Sequence, residues 1–228
     1  MQLIKAQSTL ISLIKFDVIP ILELAASSEL RRKLANHFDF EQIELREKNG
    51  SPVLVCSLGT LNSGTPILTL AIEERKIVCT VGGKSKETKA FYDVVIDFLM
   101  QIASCDDITA FEPVLVANES EMIVKLDIDV ASLFPESLLN YMEGEASSKL
   151  SLGPASARIK PVSVMFEVDY FSNAQILDDY KITLTRKEIS LQLRPGYPQE
   201  NRVFISKMPV DSDTHMELLT EIEQALNN

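Results

Sequence analysis

Hydrophobic and polar positions follow two periods along this chain, a period of two that marks strands and a period near 3.6 that marks helices. Both occur in succession over residues 66–102. Ile67 to Ile72 read as a strand, Glu73 to Lys76 as a charged turn, and Ile77 to Val81 as the return strand. Gly82-Gly83 breaks the sheet. Phe91, Val95, Phe98, Leu99 and Ile102 then recur at helical spacing, a stripe wide enough for a core-facing helix. Ser85 is the expected N-cap, since its hydroxyl accepts from the free N–H groups of a first turn. Glu87 suits the positive end of the helix dipole.

The same rules apply elsewhere. Residues 9–16 predict a buried strand. Pro20 opens a helical stretch in which Leu22, Leu30, Leu34 and Phe38 share a face, with Ser27-Ser28 dividing it into two helices. Residues 40–47 and 53–58 predict strands around the turn signal Asn49-Gly50. Residues 111–117 predict a short strand and Asn118 to Glu121 a turn. Met122, Val124, Leu126, Ile128 and Val130 then alternate with Lys125, Asp127 and Asp129, one face apolar and one wet. Pro135 starts a short helix. Residues 143–158 are small and polar, a flexible loop by composition. Val162, Val164, Phe166, Val168 and Tyr170 share a strand face. Residues 181–193 predict a hairpin, Val203 to Lys207 a strand, and Thr214 to Glu217 a capping box before a last helix.

This succession predicts an α+β protein, with mostly antiparallel sheets and helices packed on one face. Residues 70–81 and 182–193 align strand for strand around charged turns, which suggests two similar halves, 1–104 and 110–228. One continuous domain, with hairpins alike only because four-residue turns look alike, explains the same pattern.

Composition narrows the partners. The 228 residues are 46% hydrophobic and 24% charged, as in an ordinary globular chain, and the formal net charge is −11. Nucleic acid is not an expected partner, because its binding rests on basic groups. A basic protein, or a second copy of the chain, is the better expectation. Cys56, Cys79 and Cys105 form no CxxC pair, so a reducing, cytoplasmic setting is expected. No window is long and apolar enough to predict a membrane span.

Candidate chemistry is thin. Gly83-Lys84-Ser85, between strand and helix, resembles the tail of a phosphate-binding loop. The full pattern requires a glycine where Val78 stands, and a glycine turn with a serine cap explains the same residues. Asp127 and Asp129 place two carboxylates on one strand face, a weak metal candidate for a hard cation. The alternation of the whole strand predicts polar residues there anyway, so a solvated face is the preferred reading, and Asp106-Asp107 and Asp178-Asp179 read as turn and cap residues before metal ligands. His37 and His215 lack ligands at zinc spacing. No nucleophile motif is present, so no cofactor and no catalytic residue is expected. The expected function is a non-catalytic interaction module, an adaptor, inhibitor or assembly subunit acting through a sheet surface, a sheet edge or the 143–158 loop. The alternative is a small-ligand or nucleotide-binding protein or enzyme, with a pocket between sheet and helices.

Overall fold

The structure, a computed structural model, describes residues 1–14, 18–48, 50–104, 108–150, 156–168 and 187–227. It is α+β, with nine strands and five helical segments among those residues. The strands are β1 (Gln2–Ile14), β2 (Gln42–Lys48), β3 (Ser51–Thr60), β4 (Pro66–Glu73), β5 (Lys76–Val81), β6 (Pro113–Lys125), β7 (Ser163–Val168), β8 (Lys187–Leu193) and β9 (Val203–Met208). The helices are α1 (Ile21–Ala26), α2 (Ser28–Phe38), α3 (Ser85–Ala103), α4 (Glu136–Tyr141) and α5 (Ser212–Asn227). None of them is long and apolar enough to cross a membrane.

The chain forms two compact units. One, the α3 unit, contains Ala6–Glu121 and Pro209–His215; the other, the α4 unit, contains Met1–Lys5, Met122–Met208 and Met216–Asn228. The division cuts β1 between Lys5 and Ala6, β6 between Glu121 and Met122 and α5 between His215 and Met216, and also falls between Met208 and Pro209. The sequence expectation is of two halves meeting near residues 104–110, or of one continuous domain.

In the α3 unit the strand order is β2-β3-β4-β5-β1-β6. The first five pair antiparallel, with Leu10 opposite Cys79, Leu70 opposite Cys79 and Cys56 opposite Leu70. Period two therefore puts Leu10, Ile14, Leu54, Cys56, Leu70, Ile72, Ile77, Cys79 and Val81 on one face, and all are buried. Helices cover that face with Leu24, Leu34, Phe38, Phe91, Val95, Phe98 and Leu99, so the expected stripe on α3 is the core stripe. Leu22 is 70% exposed, and Leu24 takes the core position expected of it. Ser27 separates α1 from α2 and caps α2, accepting from Leu30 N at 3.2 Å. Gly82 and Gly83 allow a close approach. A Cβ on Gly82 would lie 2.8 Å from Pro66, and one on Gly83 would lie 3.1 Å from Thr65.

The α4 unit contains the antiparallel order β9-β8-β7. Met122, Val124, Leu126, Ile128 and Val130 are all buried, as their alternation predicts. The expected turn at residues 118–121 does not form. Its polar run lies inside the thirteen-residue strand β6, because Ser120 has a buried partner. Conversely, Asp127 and Asp129 lie beyond the end of that strand. Part of the expected 143–158 loop is helical. A π-turn, Met142–Ala146, and a last turn, Ser147–Lys149, extend α4, and Ser147 Oγ holds the turn by donating to Met142 O at 2.7 Å. Residues 151–155 lie outside the described residues. Phe166 on β7 is 59% exposed and Val162, just before the strand, is 44% exposed, so this strand face is not core. Tyr170, Asp106-Asp107, Asp178-Asp179, Cys105 and residues 181–186 of the expected hairpin lie outside the described residues.

The succession strand, helix, strands, helix occurs twice, from β1 to α3 and from β6 to α5. The hairpin directly before α5 is β8–β9, so β9, not β8, holds the position that β5 holds before α3.

Ser85 does not cap α3. It is the first helical residue, and its hydroxyl accepts from Ser212 N at 2.8 Å while its own N–H donates to Ser212 Oγ at 2.9 Å. Two helix starts thereby cap each other. Asp211, not Thr214, holds the start of α5, accepting from the N–H groups of Asp213 and Thr214 at 2.9 and 3.0 Å. These bonds hold its carboxyl below the usual range. Ser212→Ala leaves the Ser85 N–H without its acceptor. It is expected to cost about 1 kcal/mol in urea unfolding, the usual cost of a lost cap. An unchanged midpoint would show the pair to be energetically idle.

Candidate functional site

The clearest concave feature is a trough in the α3 unit. Beside its core stripe, α3 presents Lys89, Tyr92, Asp93, Ile96 and Asp97, which share a face at helical spacing. A short 3-10 turn, Ile108–Phe111, brings Phe111 beneath them. Leu10 of β1, together with Pro113 and Val116 of β6, completes an apolar floor. The cavity measures about 540 Å³. Phe111 is fully packed, whereas Val114 and Val116 are 39% and 45% exposed.

The rim is charged and unbalanced. Lys89 pairs with Asp93 one turn on, and its ammonium lies 5.3 Å from the centre of the Tyr92 ring. The Tyr92 hydroxyl is held by Ser12 Oγ at 2.8 Å, and burial pushes its pKa up. Asp97 and Glu112 have no side-chain partner among the described residues. One cation and three carboxylates around an apolar floor form a surface that favours a cation carried on an apolar body.

The residues singled out in the sequence lie elsewhere. At Gly83-Lys84-Ser85 the last of the three backbone donors is already engaged. Ser85 N–H bonds Ser212 Oγ, while Glu87 and Thr88 N–H point to Lys84 O at 3.1 and 3.3 Å. Gly83 O accepts from Ser8 Oγ at 3.0 Å. A Cβ on Gly83 would sit 3.6 Å from the Glu87 stem, so an acidic side chain stands beside this glycine. Asp127 pairs with Arg202, its N–H donates to Glu223 Oε1 at 2.5 Å, and its carbonyl accepts from Asn227 at 3.0 Å. Asp129 caps the 3-10 turn Val130–Leu133 through Ala131 N at 3.0 Å. The structure gives each carboxylate its own local task. No group of three metal-ligating side chains converges among the described residues.

His37 stands in the last turn of α2, with its ring 4.7 Å from that of Phe38 and 5.9 Å from that of Phe98. His215 is fully buried in α5 and its Nδ1 lies 2.7 Å from Ser120 Oγ. Burial lowers its pKa to about 4. Ser120 is only 4% exposed, so this Ser–His pair has no access to a substrate and ties a helix to a strand. Cys56 and Cys79 are buried thiols, and burial pushes Cys56 up to about 12.

A second cleft, of about 290 Å³, lies in the α4 unit. It mixes Arg158, Lys160 and Arg202 with Asp129, Glu143 and Glu200, a balanced set with no preferred sign. Comparison of the chain with protein-family models, with curated proteins and with solved structures returns no match.

Proposed function

We propose that the protein is a non-catalytic interaction module of the cytoplasm that binds a basic partner protein through the α3 trough. The carrying observation is the pair of unpartnered carboxylates, Asp97 and Glu112, beside the half-exposed floor residue Val116. A lysine or arginine side chain suits this surface. Its stem covers apolar area while its head meets carboxylates. The net charge of −11 favours the approach of such a partner. Cys56 and Cys79 are free thiols, which suits a reducing compartment.

Fluorescence anisotropy with a labelled peptide of alternating leucine and lysine turns is the direct test. Binding is expected in the micromolar range, and weaker as salt rises. Asp97→Lys and Glu112→Lys are each expected to weaken it roughly tenfold, while Lys33→Ala on α2 leaves it unchanged. Equal binding by all variants, or none at about 0.5 mM peptide, overturns the proposal. Preference for a small aliphatic amine over the peptide would point instead to a ligand pocket, for which the volume is sufficient.

A further inference from the structure

Strand β2 ends the strand order of the α3 unit and, among the described residues, pairs on one side only, with β3. Its residues are open: Gln42, Glu44, Leu45, Arg46 and Glu47 are exposed, Leu45 at 48%. An open edge offers a row of free backbone donors and acceptors, and charged residues usually guard such an edge against pairing. That guard works when like charges would meet. The sequence here has the opposite property.

Laid antiparallel on a copy of itself in the register centred on Leu45, β2 sets Glu44 of each copy opposite Arg46 of the other. The two-fold axis makes this happen twice. Opposite charges facing across strands stabilise a pair, whereas like charges destabilise it. The two side chains share a face already, since Arg46 Nε and Nη2 donate to Glu44 Oε2 at 3.0 and 2.7 Å. Glu44 Oε1 and Arg46 Nη1 remain without bonds among the described residues and are available across an interface. On the other face, Leu45 stands beside buried Leu54. In this register each Leu45 meets its counterpart, and the exposed apolar area is covered on both copies.

We propose that β2 is a homodimer interface, in which two copies of this chain join edge to edge about a two-fold axis at Leu45. The trough plays no part in it, so the two proposals stand or fall separately.

Sedimentation of the full chain at physiological ionic strength tests this, with urea unfolding as the control for folding. The wild type is expected to dimerise reversibly at micromolar concentration. Glu44→Arg sets arginines opposite arginines, and Arg46→Glu sets glutamates opposite glutamates. Each is expected to weaken the dimer roughly tenfold or more without changing the unfolding midpoint. An equimolar mixture of the two variants restores opposite charges at both positions, and is expected to form a mixed dimer of wild-type affinity. A strictly monomeric wild type, or variants that dimerise as well as wild type, overturns the proposal, and so does a mixture that stays monomeric. Leu45→Cys in a Cys105→Ser background supplies a second reading. Counterpart cysteines at the axis lie close enough to join, so mild oxidation is expected to give a covalent dimer. No covalent dimer would equally overturn it.

Discussion

Replacing Phe91 by alanine is expected to lower the unfolding free energy by about 4 kcal/mol, as for other fully buried large-to-small changes. The ring is wholly buried and meets Phe38 edge-on, with centroids 5.1 Å apart and planes at 83°. It sits where α3 crosses the helix-covered sheet face, so its loss removes apolar burial and leaves a cavity that close-packed neighbours fill only in part. A domain of ordinary stability has roughly 5–15 kcal/mol in all, so much of the margin disappears. Phe91→Leu keeps most of the volume and is expected to cost about a third as much. Urea unfolding measured by circular dichroism checks both, and a loss below about 1 kcal/mol for the alanine variant would show that α3 is not the anchor of its unit. Because α3 also supplies one wall of the trough, peptide binding is expected to weaken in the alanine variant even where it remains folded.

Acid is expected to weaken the fold through His215. His215 has an ordinary pKa near 6.5 and is lowered by burial to about 4 in the folded chain. Between those values the unfolded chain binds a proton that the folded chain excludes, so stability rises with pH across this window and falls as pH drops through it. The 2.5-unit gap corresponds to about 3 kcal/mol, fully present above pH 6.5 and lost by about pH 4. Asp211 acts in the same direction at lower pH, since its lowered carboxyl stabilises the fold above its ordinary value and ceases to as pH falls further. The double variant Ser120→Ala/His215→Phe keeps a bulky side chain and removes both the titrating ring and the hydroxyl bonded to it. Its stability is expected to change little between pH 6.5 and pH 4, where the wild type loses most. Parallel curves for the two proteins would assign the acid sensitivity elsewhere.

Much of the architecture is legible from local chemistry. The stripe from Phe91 to Leu99 predicts α3 and its buried face, because helical period and burial are both local consequences of spacing. The alternation from Met122 to Val130 predicts which side chains are buried, although the strand ends before Asp127. Ser27 divides α1 from α2 for a reason visible in the sequence, an N-cap hydroxyl three residues before Leu30. Other features escape such reading. Residues 118–121 look like a turn until Ser120 acquires the buried ring of His215, ninety-five positions away. Ser85 looks like its own helix's cap until Ser212 arrives to exchange hydrogen bonds with it.

The trough shows the same division. Asp93 and Asp97 stand one turn apart beside apolar Tyr92 and Ile96, so a polar edge on a core helix can be read directly. Glu112, Leu10 and Val116 join them only through the packing of a turn and two strands. The open edge at β2 is likewise invisible from spacing, since a strand's neighbours are set by the order of the sheet, whereas its alternating charges are plain in the sequence. By itself the sequence determined fold class, the helix and strand periods, most core positions and the acidic balance, because these follow from side-chain chemistry and short-range geometry. Tertiary structure alone decided which polar groups are satisfied, which carboxylates remain unpaired, and which strand lies at the edge, because each depends on partners that the chain brings together from far apart.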